Sequence, residues 1–488
     1  MTSTPDIVVA GVPHVSVSGN TFEKTNPFTG EVVSVAAAAT LEDADNAARA
    51  AHEAFPAWAA TPAAERSTLL SKAADLMEAR AEEISTTMAD EVGATHGWAL
   101  FNVHVTVGVL RAAAELPGQV TEDVIESAIP GLQAFGVRKP LGAVVAIAPW
   151  NAPLILGTRA VAMPLALGNT VVFKASEECP RTQAAIVQVL RDAGVPEGAV
   201  VLLTNAPADG KAIVERLIDN PKIRHINFTG SSAVGRSIAI RAAKHLKRTV
   251  LELGGKAPFV VLDDADLDAA AAAANFGAFM NSGQICMSTE RVIADAGVVE
   301  EFSAKLAERA KALTVGDPSQ PTTHVGPVVS ARAAERIRGL IADAVEKGAT
   351  LLAGGGASGE HSGVLIEPTV VAGVTPAMDL YREESFGPVV TITSFTDIDE
   401  AVTLANDTDF GLSSAVFGAD VERARQVADR IDSGIIHING ATVHDEPNMP
   451  FGGVKDSGWG RFGGAYAINE FTDLRWLTVS TEERHYPI

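Results

Sequence analysis

Cysteine is nearly absent: the 488 residues include only Cys179 and Cys286, 107 positions apart. That pair makes neither a disulfide framework nor a metal-like spacing, so no metal site is expected and a reducing, cytoplasmic setting is. Basic residues are scarce too, with 38 Lys and Arg against 60 Asp and Glu and a formal net charge of −22. Nucleic acid and anionic membrane surfaces both demand a positive face, so neither is an expected partner, and the acidity reads as solubility. Met1 to Gly11 has no basic start and no long apolar run, so no secretory leader is expected there. The one long apolar stretch, Leu141 to Phe173, is interrupted by Pro149, Asn151, Pro153, Arg159, Pro164 and Asn169. A membrane span does not tolerate that density of breakers and polar groups, and the stretch reads as buried strand, turn, short helix and buried strand.

What is present suits a compact α/β enzyme with a large core: 47% hydrophobic residues, 43 glycines and about three domains' worth of chain. Thr40-Leu-Glu-Asp43 resembles a capping box opening a helix through Ala60, and helical spacing continues from about Pro62 to Leu116. Within that region Trp98, Phe101, Asn102 and His104 form a bulky face, either core packing or a pocket wall. Gln133 to Lys139 reads as an extended segment outside the main sheet. Apolar strands at 142–149, 169–174, 200–204 and 223–228 then alternate with helices at 182–193, 211–219 and 230–246, the pattern of a doubly wound sheet. A second α/β region runs from about Leu251 to Asp432, with strand-like runs at 259–262 and 389–393 and helices at 266–280, 299–313 and 330–347. The terminal run Arg475 to Ser480 is a strand with no helix left to cover it, suited to pairing with another subunit.

Several stretches can carry chemistry, each with a plainer alternative. Asn281-Ser-Gly-Gln-Ile-Cys286-Met-Ser-Thr289 places a cysteine in a small, polar loop after an alanine-rich helix. A nucleophile needs that access, although an isolated cysteine also serves as a small buried hydrophobe. Pro149-Trp150-Asn151-Ala-Pro153 follows a buried strand, where open sheets place ligands; its amide can donate to an oxyanion or satisfy its own turn. Lys174 and Glu177 close the next strand and can grip ribose hydroxyls or stand as an exposed pair. A ribose-binding Glu177 would repel a 2′-phosphate and favour NAD over NADP. Phe228-Thr-Gly230-Ser231-Ser-Ala-Val-Gly235 opens a helix with glycines five apart, suited to a pyrophosphate yet not the usual dinucleotide spacing. Glu252 lies in an apolar strand before Gly254-Gly255, where desolvation raises a carboxyl toward a general-base value unless a structural cation pairs with it. Glu384-Ser-Phe386-Gly-Pro388 offers a carboxylate and a ring for a second ribose and a flat group.

Together and in this order, these pieces, with Leu251-Glu-Leu-Gly-Gly-Lys256 and Pro450-Phe451-Gly-Gly453, resemble the aldehyde dehydrogenase superfamily across nearly the whole chain. The resemblance implies Cys286 as nucleophile toward an aldehyde carbon. It implies Asn151 and the Cys286 backbone N–H as oxyanion donors, and Glu252 as the base that hydrolyses a thioester. Trp150, Lys174, Glu177, Gly210, Gly230, Ser231, Gly235, Glu384 and Phe386 match cofactor positions for NAD, with NADP possible. The implied architecture is an aldehyde dehydrogenase-like α/β fold of two doubly wound domains plus a small oligomerisation arm. Its cofactor domain covers 1–120 and 141–251, its catalytic domain 252–432, and its arm 121–140 and 470–488, with 433–469 returning to the cofactor domain. A homodimer or homotetramer is expected.

Three longer stretches, 151–159, 283–291 and 437–446, look like salicylaldehyde and vanillin dehydrogenases. Arg159 falls where the family lines its substrate tunnel and can stack on a ring or bond a phenol oxygen, or serve as a structural ion-pair partner. Ala160 stands where many relatives carry lysine, a departure that weighs against long or anionic aliphatic substrates. Trp98, Ile285, His444 and Phe451 are the other expected pocket residues. The expected activity is oxidation of an aromatic aldehyde in aromatic-compound catabolism. An aliphatic or semialdehyde substrate is the first alternative, and a non-catalytic scaffold of the same fold is the remote one.

Overall fold

The computed structural model describes residues 7–8, 18–356, 363–484, 486 and 488. Apart from Ile7–Val8, the Met1 to Gly11 segment read for a leader lies outside them. Two parallel-rich sheets organise the chain. The first has six strands in the order 458–459, 248–252, 223–229, 143–147, 170–174 and 200–203, all parallel except the short antiparallel edge Gly458–Trp459. Every residue of Ala143–Ile147, Thr170–Lys174 and Val200–Leu203 is buried, which is why these strands read as unbroken apolar runs. The helix Pro153–Ala166, opened by Pro153, is buried over its whole length, so Leu141 to Phe173 forms strand, turn, helix and strand inside the fold.

The second sheet has seven strands, in the order 350–353, 369–372, 389–395, 289–295, 257–261, 413–417 and 435–438. Only Thr350–Ala353 runs antiparallel. Its last strand, Ile435–Ile438, pairs with Ser413–Phe417 beyond the expected boundary at 432, because the run Ile-Ile-His-Ile completes the sheet before the chain returns. The return is then made by Gly458–Trp459 pairing with Leu251 and Glu252.

Thr40 does form the capping box of the helix Leu41–Ala60. The helical region expected from Pro62 to Leu116 is three helices, Ala63–Ala79, Ala81–Val92 and His96–Gln119. The second break is at Gly93, which takes a left-handed φ of 67°; a Cβ there would meet Pro327 at 2.6 Å and Pro27 at 2.7 Å. Helical periodicity survives such a break, so the pattern alone hides it. His96–Gln119 is long and apolar enough to cross a membrane by length and composition. Here it packs between Ala63–Ala79 and Pro153–Ala166.

The arm is a three-stranded antiparallel sheet in which Leu132–Pro140 lies between Asp123–Ile125 and Thr472–Ser480. The pairing runs from Thr472 opposite Pro140 to Ser480 opposite Leu132. Its apolar side chains stand in the open, Trp476 being 78% exposed and Val124 82%.

One buried carboxylate ties together the helix Ala81–Val92, the strand Val32–Ala37 and the start of the helix Pro180–Ala193. Glu91 accepts hydrogen bonds from Ser34 Oγ (2.6 Å), Arg181 N (2.9 Å), Thr182 N (2.8 Å) and Thr182 Oγ1 (2.7 Å). Two of these are the otherwise orphan donors at the start of the helix Pro180–Ala193. Glu91→Ala strands all four donors and should destabilise the fold by about 2–4 kcal/mol, read as a lower thermal midpoint by circular dichroism; an unchanged midpoint would refute the role.

Candidate active site

Cys286 is placed by a turn that the backbone resists. After the helix Leu267–Phe279 the chain enters Met280–Gly283, where Asn281 (φ 49°), Ser282 (φ 56°) and Gly283 (φ 70°) are consecutively left-handed. Each non-glycine residue in that region costs roughly 1–2 kcal/mol, so the surroundings must hold it. Asn281 Nδ2 donates to Asn151 O (3.0 Å), Ser282 Oγ to Gly326 O (2.9 Å) and Ser288 Oγ to Gly283 O (3.0 Å). Gln284 Oε1 accepts from Val329 N (2.9 Å). Backbone approach closes the grip: a Cβ on Gly283 would lie 2.0 Å from Gly387 O, and one on Gly255 would lie 2.1 Å from Cys286 O. No larger residue fits at either position without moving the loop.

Asn151 faces this loop. Its carbonyl also accepts from Trp98 Nε1 (3.0 Å), and its side-chain Nδ2 donates to Gln284 O (2.9 Å). One amide N–H is thereby fixed; the other has no acceptor among the described residues. Glu252 ends the strand Arg248–Glu252, and neither carboxylate oxygen finds a hydrogen-bond partner. Burial pushes its pKa up to about 8, against the pull of the Arg159 and Arg461 guanidiniums. Burial also pushes the Cys286 thiol up, helped by negative charge on Glu252, Glu384 and Asp445 and opposed by Arg159. Glu384 is itself raised to about 8, by burial and then by Glu290, while its Oε1 accepts from Gly255 N (2.8 Å).

The residues matched to a dinucleotide lie along the carboxyl ends of the first sheet, the edge where open α/β sheets take ligands. From one side of the sheet to the other, the strand ends run Glu252, Thr229, Ile147, Lys174 and Leu203. Glu252 and Lys174 are thus three strand spacings apart, roughly 14 Å. Lys174 Nζ and Asn205 Nδ2 both donate to Glu177 Oε1, at 2.5 and 2.7 Å. Gly210 makes room for that carboxylate, since a Cβ there would lie 2.7 Å from it. The buried Asn205 Oδ1 is left without a partner. Next along, the exposed Ser231 precedes the helix Ser232–Lys244, whose first intrahelical bond is Gly235 N to Ser231 O (2.9 Å), leaving the earlier N–H groups for an anion. Cβ atoms on Gly230 and Gly235 would strike Phe228 (2.4 Å) and Leu253 (2.3 Å), so both glycines are needed for close packing. Toward the reactive end, Trp150 and Phe386 meet edge to face at 5.7 Å between centroids. Phe386 has a φ of 47°, and the Ser385 and Phe386 N–H groups are held by Glu290, itself paired with the buried Lys256. Paired carboxylate and ammonium, anion-binding helix start and aromatic pair fit adenosine ribose, pyrophosphate and a flat ring in turn. Asn205, absent from the sequence-based expectation, had no motif to announce it.

On the other side of Cys286 a narrow cleft of about 50 Å³ opens. Of the expected pocket residues, Trp98, Ile285, His444 and Phe451 line it. Phe101 lines it too, stacked on Trp98 at 5.4 Å, which settles the outer part of that helix face as pocket wall, whereas Asn102 is buried with its amide on Trp98 O. Ile155, Phe276 and Asp445 are further lining residues that sequence reasoning had not assigned. His444 is largely exposed and pairs with Glu446 at 2.8 Å. Arg159 does not line the cleft. It is 1% exposed, bonds Asp445 Oδ1 through Nη2 at 2.6 Å, and lies 4.7 Å from the Phe451 ring centroid. The expected substrate contact is therefore an ion-pair partner behind the wall, because Asp445, 286 residues away in sequence, intervenes. Glu252 is likewise absent from the cleft wall. Among the described residues no group of three His, Cys, Asp or Glu is arranged to hold a metal.

The two thiols differ in access. Cys286 is partly exposed at the cleft, whereas Cys179 is fully buried at the start of the helix Pro180–Ala193, its thiol pushed up by burial and by Glu91. Iodoacetamide should therefore label Cys286 and spare Cys179 in the folded protein, faster as pH rises, with peptide mapping as the readout; equal labelling of both would contradict the geometry.

Comparison with known proteins agrees with this geometry. A model of the aldehyde dehydrogenase family matches residues 14–477. A vanillin dehydrogenase of Pseudomonas sp. (strain HR199 / DSM 7063) is 54% identical over 482 residues, covering 99% of both chains. A salicylaldehyde dehydrogenase of Pseudomonas putida is 46% identical over 468 residues, covering 96% of both. The crystal structure of a salicylaldehyde dehydrogenase from Pseudomonas putida G7, complexed with salicylaldehyde, matches with a TM-score of 0.95 and 45% identity, covering 97% of this chain and 98% of that one. With the left-handed cysteine loop, the buried carboxyl and the strand-end cradle all in one molecule, the chain belongs to the aldehyde dehydrogenase family.

Proposed function

We propose that this protein oxidises aromatic aldehydes of the benzaldehyde, salicylaldehyde or vanillin type to carboxylic acids with NAD, through a covalent intermediate on Cys286. The observation that carries the aromatic reading is the cleft ending on Cys286, walled by Trp98, Phe101, Phe276 and Phe451 and containing no lysine or arginine. Flat aromatic walls favour a ring, and an aliphatic semialdehyde would bring a carboxylate that meets no cation there. The names of the similar vanillin and salicylaldehyde dehydrogenases point the same way. A non-catalytic role is disfavoured by the joint presence of Cys286, Glu252 and Asn151 in a pre-built site.

The Cys286 thiol passes its proton to water, its sulfur bonds to the aldehyde carbon, and the carbonyl oxygen takes the negative charge. The free Asn151 amide N–H and the Cys286 backbone N–H are the donors for that oxyanion, and losing one such donor costs ~10²–10³ in rate. Bound nicotinamide dinucleotide supplies the hydride acceptor that turns the thiohemiacetal into a thioester. Glu252 then takes a proton from water as the water oxygen bonds the thioester carbon; the carbon–sulfur bond breaks, and the proton held by Glu252 passes to the departing sulfur, restoring the Cys286 thiol and the carboxylate. Glu252 must be deprotonated to do this, so with its pKa at about 8 hydrolysis gains rate as pH rises through that value. Glu177, held by Lys174 and Asn205, presents a carboxylate where a 2′-phosphate would be repelled, which supports NAD over NADP. Two free thiols suit a reducing cytoplasm, and the apolar outer face of the arm suits a homodimer or homotetramer.

The deciding experiment follows NADH and NADPH formation with benzaldehyde, salicylaldehyde, vanillin, hexanal and succinic semialdehyde. The aromatic aldehydes with NAD should give the highest kcat/KM, Cys286→Ala should abolish turnover while NAD still binds, and Glu252→Gln should remove the rise near pH 8. Preference for succinic semialdehyde would overturn the pocket reading, and turnover by Cys286→Ala the mechanism. For the assembly, Trp476→Glu should lower the particle mass measured by light scattering after size-exclusion chromatography; an unchanged mass would exclude this face from the subunit contact.

A further inference from the structure

Among the described residues, Asp445 is the only carboxylate that lines the cleft. Its Oδ1 accepts from Arg159 Nη2 at 2.6 Å, and no other hydrogen bond engages the carboxylate among the described residues. The side chain is 10% exposed, so part of it reaches the cleft, while the Arg159 side chain is 2% exposed behind it. Arg159 does two things at once to this wall: it fixes Asp445 by a charge-assisted bond and sits over the ring of Phe451, which also lines the cleft. The other bonding atoms of its guanidinium, Nε and Nη1, have no partner, so its position rests on these two contacts. The result is a single carboxylate acceptor, fixed in orientation, set into a largely apolar and aromatic slot whose other polar lining is Asn151, Cys286 and His444.

Building on the proposed aromatic-aldehyde activity, we infer that Asp445 is a specificity-determining residue that accepts a hydrogen bond from a ring hydroxyl of the substrate, with Arg159 as its positioning residue. A phenol hydroxyl is a donor, and an ionised carboxylate is the strongest acceptor that a protein offers it. A ring carrying a methyl group of similar size offers no donor and leaves the buried carboxylate unsatisfied, the arrangement in which a polar site discriminates most sharply. A ring carrying a carboxylate is repelled. The slot therefore selects hydroxybenzaldehydes over their methyl and carboxyl analogues.

The test compares kcat/KM with NAD for the 2-, 3- and 4-hydroxybenzaldehydes, each against the methylbenzaldehyde of the same position, with benzaldehyde as reference. In the unaltered protein at least one hydroxy isomer should exceed its methyl analogue by about ten- to one-hundred-fold, the range of a charge-assisted hydrogen bond. Asp445→Asn keeps an oxygen for Arg159 in the same volume and should shrink that ratio by about ten-fold; using the ratio within each protein cancels any general loss of activity. Arg159→Lys should retain more of the ratio than Arg159→Gln. No hydroxyl preference in the unaltered protein overturns the inference without any variant, as does an unchanged ratio in Asp445→Asn. Failure to oxidise benzaldehyde or any other ring aldehyde would instead mark failure of the proposed function itself.

Discussion

Everything at the reactive centre depends on three consecutive residues held in a backbone conformation that two of them disfavour. Asn281, Ser282 and Gly283 turn the chain left-handed so that Cys286 emerges at the cleft that Asn151 also lines. The turn survives because its polar side chains are spent on fixed carbonyls of other segments, Asn151 O and Gly326 O, and because Gly255 and Gly283 let backbone pass against backbone. The same carbonyl of Asn151 is shared with Trp98, so the aromatic wall, the proposed oxyanion donor and the cysteine loop are registered against one another through a single residue. Strain and function sit together here as they do in many enzymes: the strained element is the one whose position must not vary.

Charge is the second organiser. Cys286 stands among Glu252, Glu384 and Asp445, with Arg159 as the opposing cation. Burial makes Glu252 and Glu384 reluctant to ionise, and a nearby carboxylate adds to it in each case, Asp445 for Glu252 and Glu290 for Glu384. Glu252 and Glu384 have risen to about 8, close to the pH at which a proton can be both taken and returned. Arg159 is committed to Asp445 at the edge of the slot, while Glu252 has no hydrogen-bond partner among the described residues.

Much of the site was legible in the sequence because its pieces sit at strand ends, and strands buried on both faces are plain to read. Ala143–Ile147, Thr170–Lys174 and Ile223–Thr229 lead directly to Asn151, Lys174 and Gly230. Desolvation of Glu252 followed from its apolar strand. What stayed hidden depended on distant partners. Nothing local shows that Arg159 meets Asp445 rather than a ligand, that Glu91 holds the start of a helix 90 residues on, or that Asn205 braces Glu177. The break at Gly93 was hidden for another reason: helical spacing continues on both sides, and only the two prolines packed against it reveal why a glycine must stand there. The catalytic sheet also ran past its expected end, since a short strand such as Ile435–Ile438 is recognised by its neighbour more than by its own pattern.

The arm has a consequence for how the molecule comes into being. Leu132–Pro140 is completed by Thr472–Ser480, a partner separated from it by most of the chain. During synthesis from the N-terminus, the inner strand is made early and has only the short Asp123–Ile125 beside it until Thr472–Ser480 follows. Its open edge is a hazard for pairing with a neighbouring nascent chain throughout that interval. Closure of the arm therefore waits on Thr472–Ser480, and products that stop short of it are left without the full three-stranded surface.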